Sequence, residues 1–237
     1  MSFVLIDDKY KVAEFSKLDI CAGYGCKKFS LEKLKTLAAV KNKILISGVQ
    51  THSSNVVVIK KDCPLEKTVF QDTDGLITDD PKIILYTKHA DCLAIYFYDR
   101  VKGVVGICHS GWKGSFNEIC VNMVEKFVSE FNSKKDDIII GIGIGISSKN
   151  YEVSKEFKKE FYNKFHKDIV ESSFHTVNDK IYFDNGVFNF LLLIKNGIKK
   201  ENIYKSEECT YDNLNLHSYR RDKEHSGRNL AYIYINN

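Results

Sequence analysis

Between residues 44 and 108 the chain packs six short apolar runs, at 44–47, 55–60, 75–78, 83–87, 93–98 and 104–108, with no helix-length pattern between them. They are rich in Val, Ile and Tyr and bounded by Gly, Asp or Asn, the pattern of β-strands. Strands crowded this closely leave no room for the crossover helices that a regularly alternating parallel sheet requires. Further strands are expected at 138–144, 180–184, 203–206 and 230–235. Asp99-Arg100-Val101-Lys102-Gly103 reads as the loop of a hairpin joining 93–98 to 104–108.

Helical periodicity enters after this block. Phe116, Ile119, Cys120, Met123, Val124, Phe127, Val128 and Phe131 form one continuous apolar face, predicting a helix over 115–131 with Ser115 and Glu118 as a capping box. Helices are also expected at 31–40, 154–165 and 185–196, the last stopped by Gly197. The whole is a mixture of α and β with no composition break, so one domain is expected over residues 1–237.

The 43% hydrophobic and 28% charged content is that of a globular protein, and charges are scattered rather than gathered in a basic block, which argues against a nucleic-acid partner. No apolar run reaches the length of a membrane span, and Asp7 and Asp8 make the first residues unlike a secretory signal. The seven cysteines have no regular spacing. The chain therefore reads as cytoplasmic with reduced thiols, whose cysteines are buried hydrophobes, metal ligands or nucleophiles.

Chemistry concentrates in two segments, His89-Ala90-Asp91-Cys92 and His109-Ser110-Gly111-Trp112-Lys113-Gly114, each abutting a predicted strand. Cys92 on its own is a buried small hydrophobe more often than not. Three polar residues within four positions are, however, an odd start for a core strand. Strand alternation sends Cys108 to the core and His109 to the other face. His52, in Gln50-Thr51-His52-Ser53, is read alone as an exposed loop residue, but with Cys92 and His109 it completes a three-donor set. Catalytic zinc sites often take three protein ligands and leave the fourth position open. The glycine-bearing loop feeding a helix start suggests an anion site at the N–H groups of Gly114 and Ser115. Arg220, Arg221 and Arg228 are either a solvated loop or anion binders. Asp72-Thr73-Asp74-Gly75 reads as a turn ahead of a strand. Gly141-Ile142-Gly143-Ile144-Gly145 lacks the remainder of any nucleotide-binding fingerprint.

Taken in order, Gln50-Thr51-His52, Thr73-Asp74-Gly75-Leu76-Ile77-Thr78, Ala90-Asp91-Cys92, His109 to Gly114, Ile144-Gly145 with Tyr151-Glu152-Val153, and Cys209-Thr210 with Ser218 to Arg221 and Gly227-Arg228 resemble the YfiH-like family, also called the laccase-domain or polyphenol oxidase family. The resemblance implies an α+β fold of two packed mixed β-sheets flanked by helices. It implies a metal triad falling on His52, Cys92 and His109, filled by zinc or by copper. It further implies purine nucleoside phosphorylase activity with additional adenosine deaminase activity, on a small nucleoside substrate and phosphate. Cys92, His109 and Asp91 are then the catalytic candidates. Gln50, Lys113, Gly114, Ser115, Arg220 and Arg228 are the substrate-binding candidates. The chain departs from the family pattern at Ser53, usually Gly, at Lys113, usually Arg, in Gly-Ile-Ser-Ser before Tyr151, and over residues 15–28; no proposed ligand is lost. Competing expectations are a metal-independent cysteine hydrolase using Cys92 and His109, an enzyme editing peptidoglycan precursors, and a copper-dependent phenol oxidase, for which one His/Cys/His set offers few ligands.

Overall fold

The hairpin expected near residue 100 is the centre of the protein. Leu93–Asp99 and Val104–Ser110 pair antiparallel, with Val104 opposite Asp99 and Ser110 opposite Leu93. Every residue of both strands is buried, because each face meets a different layer. Ile95, Phe97 and Cys108 pack with Ile119, Met123 and Phe127 on the helical side. Tyr96, Tyr98, Val105 and Ile107 pack with Ile46, Leu85 and Ile233 of a second sheet. The period of two thus divides one hairpin between two cores.

The computed structural model of the chain describes residues 3–12, 15–37 and 40–236. Its six-stranded sheet runs Ile203–Lys205, Ile138–Ile142, Leu93–Asp99, Val104–Ser110, Gly75–Thr78, Val56–Ile59. Its seven-stranded sheet runs Phe3–Ile6, Lys9–Val12, Ile20–Gly25, Asn229–Ile235, Ile83–His89, Ile44–Gly48, Val69–Phe70. Both contain parallel and antiparallel pairs. A small sheet of Glu152–Val153, Lys180–Phe183 and Phe174–Val177 stands apart. Helices Ile119–Phe131 and Asn185–Lys195 cover the six-stranded sheet, with an aromatic cluster centred on Phe161. Leu34 of helix Leu31–Thr36 covers the seven-stranded sheet with Phe29, Leu230 and Tyr232. This is the α+β architecture of two packed mixed sheets. Among the described residues no helix is long and apolar enough to cross a membrane.

The helix expected over 115–131 is two helices. Trp112–Phe116 starts at Gly111, and Ile119–Phe131 starts at Glu118, which takes a left-handed φ of 58°. Ser115 is no cap, since its N–H already donates to the Gly111 carbonyl at 2.8 Å. Phe116, Ile119 and Cys120 keep helical spacing across the break, so apolar periodicity does not register it. Ser154 and Asp184 cap Lys155–Lys164 and Asn185–Lys195, and Gly197 at φ 88° stops the latter. Of the helix expected at 31–40, residues 38 and 39 lie outside the described residues. The structure adds three N-terminal strands and helix Lys167–Ser173 to the elements that the sequence pattern predicts.

One feature of the topology places the site. Ile44–Gly48, Val69–Phe70 and Ile83–His89 are mutually parallel, so all three leave the seven-stranded sheet at the same end. Each passes directly into the six-stranded sheet, at Val56, Gly75 and Leu93 respectively. Each connection turns on a non-glycine residue in the left-handed region: His52 at φ 63°, Asp72 at φ 45° and Asp91 at φ 83°. Such backbone conformations cost of order 1–3 kcal/mol each and persist only where surrounding contacts enforce them.

Candidate metal centre

Those three connections and the end of Val104–Ser110 build one cluster. His52 comes from the first connection and Cys92 from the third. His109 pairs with Ala94 across the central hairpin. The donor atoms of His52, Cys92 and His109 lie within 4.8 Å of one another, and Cys92 Sγ is 3.9 Å from His52 Nε2. His109 is buried, Cys92 partly buried and His52 exposed, so the cluster opens to solvent on one side. Cys108, one residue before His109, faces the helices.

The middle connection supplies the carboxylate that organises the others. Asp74, 1% exposed, accepts from the backbone N–H groups of Thr51 (3.1 Å), His52 (3.2 Å) and Ser53 (2.8 Å), from Ser53 Oγ (2.8 Å), and from His109 Nδ1 (2.8 Å). Burial alone would raise its pKa; the hydrogen bonds from His109 and Ser53 outweigh burial and bring it to about 2. The contact holds a proton on His109 Nδ1 and turns Nε2 toward Cys92, where it donates to the thiolate while no ion is bound; once that second proton leaves, Nε2 can ligate, the arrangement in which a carboxylate orients a ligating imidazole. Burial also pushes the Cys92 thiol up, but the charge of His109 and hydrogen bonds from both histidines draw it down to about 6. The thiolate, the form that ligates metals, is therefore favoured. Gly111 closes the cluster: a Cβ there would meet Cys92 Sγ at 2.7 Å and His52 Cδ2 at 2.9 Å. Two imidazoles and a thiolate converge as an open three-donor set, which suits zinc or copper.

The cluster forms part of the wall of a cleft of about 750 Å³, also lined by Gln50, Lys88, Asp91, Trp112, Tyr151, Asn185, Tyr219, Arg220 and Arg228. Arg220 lies over the Tyr151 ring at 5.2 Å and donates to the Glu152 carbonyl at 3.1 Å. Arg228 donates to the carbonyls of Ser226 and Gly227, both at 2.9 Å. Arg221 does not line the cleft; it donates to the carbonyls of Thr210, Tyr211 and Leu216 and to Asp222, knotting the C-terminal loop. Asp91 lines the cleft with both oxygens satisfied, accepting from Thr210 Oγ1 and from the Arg220 N–H at 2.6 Å each. The Gln50 amide is likewise engaged, with the backbone N–H and C=O of Lys88 at 2.8 Å each.

Three sequence candidates lie off the cleft lining. Lys113 is exposed with its ammonium 5.6 Å from the Trp112 ring centroid, and Gly114 is buried. Ser115 is buried, its hydroxyl bonded to Ser110 Oγ and Asn189 Nδ2 at 2.9 Å each. The helix that follows Gly111 spans only Trp112–Phe116. Asp74, Lys88 and Tyr151 are site residues that sequence reasoning did not select. For Asp74 the signal was present in Thr73-Asp74-Gly75, but turn chemistry explained the same residues.

Fold and site together define an α+β two-sheet protein with a His–Cys–His cluster in an open cleft. The family model described as multi-copper polyphenol oxidoreductase laccase matches residues 29–236, and the chain belongs to that family. It is 48% identical over 155 residues to a purine nucleoside phosphorylase of Borreliella burgdorferi, covering 65% of this chain and 66%, just under two thirds, of that relative. It is 32% identical over 194 residues to a purine nucleoside phosphorylase of Staphylococcus epidermidis, covering 78% and 70% of the two chains. Among solved structures, the YfiH protein of Bacillus licheniformis superposes with a TM-score of 0.88 at 25% identity over 99% of both chains. YlmD of Geobacillus stearothermophilus shares the fold with a TM-score of 0.89 at 23% identity, over 100% of this chain and 99% of that one.

Proposed function

We propose that the chain is a zinc-dependent purine nucleoside phosphorylase of the cytoplasm, converting adenosine, inosine or guanosine and phosphate into free base and ribose 1-phosphate. The observation that carries this reading is the His52–Cys92–His109 cluster in a cleft that also presents Arg220 and Arg228. The activity named for its relatives supports it. In the reaction a phosphate oxygen bonds to C1′ while the C1′–N9 bond breaks, and the electron pair leaves with the purine, which takes up a proton. Positive charge grows on the sugar and negative charge on the base, so the site needs an anion holder and a polarising group. Arg220 and Arg228 hold the phosphate. Trp112 and Tyr151 offer aromatic faces to the purine. Asp91 keeps the Arg220 turn in place through its two hydrogen bonds. Zinc, with copper as the alternative occupant, would be held by His52, Cys92 and His109 and would supply a fixed positive charge and Lewis acidity at the cleft wall. Adenosine deamination is the second activity we assign to the same cleft.

Release of hypoxanthine from inosine, dependent on added phosphate and on metal content, is the expected result. Formation of inosine from adenosine without phosphate tests the deaminase. A zinc-loaded protein that releases no base from any of the three nucleosides refutes the reading. The depressed Cys92 pKa also suits a metal-independent cysteine hydrolase. Activity that survives a chelator but not a thiol reagent would select that alternative.

A further inference from the structure

Asp74 accounts for the placing of His52 and His109, but it does not touch Cys92. The cysteine follows Asp91, whose φ of 83° is unfavourable for a side-chain-bearing residue. Something must hold the Cys92 peptide against relaxation. The Asp91 carbonyl accepts from the Ile146 N–H at 2.9 Å. The Cys92 carbonyl accepts from His89 Nδ1 at 3.1 Å.

His89 is fully buried at the end of strand Ile83–His89, on the face between the sheets. Its other nitrogen, Nε2, is 2.7 Å from Thr87 Oγ1. A carbonyl can only accept, so Nδ1 carries the proton; Nε2 of the neutral ring accepts from the Thr87 hydroxyl. The ring packs 5.2 Å from His109 and 5.9 Å from Tyr24, centroid to centroid. His89 is therefore not a fourth donor. It is a rigid link between the end of one sheet and the backbone that carries the thiolate.

We propose that His89 is a positioning residue: by donating Nδ1–H to the Cys92 carbonyl, it fixes where Cys92 Sγ sits for a metal ion. The inference rests on the metal reading of the His52–Cys92–His109 cluster. It also separates the two ring nitrogens. Only the Nδ1 contact matters for the thiolate; the Nε2 contact with Thr87 serves to hold the ring.

Three variants distinguish these contacts. Asparagine places an amide N–H where Nδ1 stood, and glutamine places one nearer the position of Nε2. Phenylalanine keeps a ring and loses both hydrogen bonds. Zinc affinity is measured by chelator competition, and the thiolate–cobalt charge-transfer band is recorded after cobalt substitution. The expected result is that His89→Phe and His89→Gln lose about tenfold to a hundredfold in zinc affinity and shift the cobalt band. His89→Asn should stay within about threefold of the parent with the parent band. A His89→Phe protein with parent affinity and parent band overturns the inference, as does glutamine rescuing as well as asparagine. Should phenylalanine not fold, the asparagine–glutamine contrast decides alone. A parent protein that takes up neither metal would overturn the metal reading itself, and this inference with it.

Discussion

Gly111→Ala tests the geometry of the site most directly, because the fold tolerates the change and the cluster does not. Gly111 has φ −73°, which alanine adopts freely. Restricting the unfolded chain favours alanine by about 0.4–1 kcal/mol, and the weaker N-cap preference of alanine opposes this by a similar amount, so global stability should change by less than about 1 kcal/mol. The new methyl would meet Cys92 Sγ at 2.7 Å and His52 Cδ2 at 2.9 Å. Ordinary contact between carbon-sized atoms is roughly 3.5–4.0 Å, so each group must retreat by about 1 Å. Zinc bonds to nitrogen and sulfur are about 2.0–2.3 Å long and tolerate little of such a displacement. Misplacing reacting groups by about 1 Å costs on the order of a hundredfold, or about 2.7 kcal/mol. The variant should therefore bind zinc about a hundredfold more weakly, read by chelator competition, while melting within a few degrees of the parent in the presence of chelator. Parent zinc affinity together with parent activity would show that the three donors do not share an ion in the described geometry.

Cys92→Ala should abolish stoichiometric metal uptake, measured by elemental analysis, with an unchanged far-ultraviolet dichroism spectrum. Asp74→Asn replaces one of the two buried carboxylate oxygens, which between them accept from four residues, with a donor; it should weaken zinc binding about tenfold to a hundredfold and lower unfolding free energy by about 1–3 kcal/mol in a urea titration. Arg221→Ala and Arg220→Ala should separate structure from binding. The first unknots the C-terminal loop and should lower the melting temperature; the second should raise the KM for phosphate at least tenfold and leave melting nearly unchanged.

The sequence is legible where a residue's neighbours along the chain decide its fate. The central hairpin, the opposite faces of Cys108 and His109, and the stop at Gly197 all follow from alternation or a glycine in the left-handed region. The triad is legible from resemblance and from residue types, not from spacing, because His52 and Cys92 lie on connections whose adjacency depends on three parallel strands ending together. The same limit hid Asp74: its partners at 51–53 and 109 are distant in sequence, so only its turn propensity was visible. The break at Glu118 escaped for the opposite reason, since the apolar stripe continues through it. Of the N-terminal strands, Ile20–Gly25 is interrupted by two glycines and owes its form to pairing with Asn229–Ile235, far along the chain; Lys9–Val12 and then Phe3–Ile6 add to its outer edge.

The passage of three connections from one sheet to the other at the same end has a mechanical consequence. An ion gripped by His52, Cys92 and His109 would rivet the seam of the sandwich as well as serve its chemistry. Holo protein should then resist prying apart at that end by an increment set by free metal concentration relative to the dissociation constant. Starvation for the ion would loosen the architecture and silence the cleft in a single event.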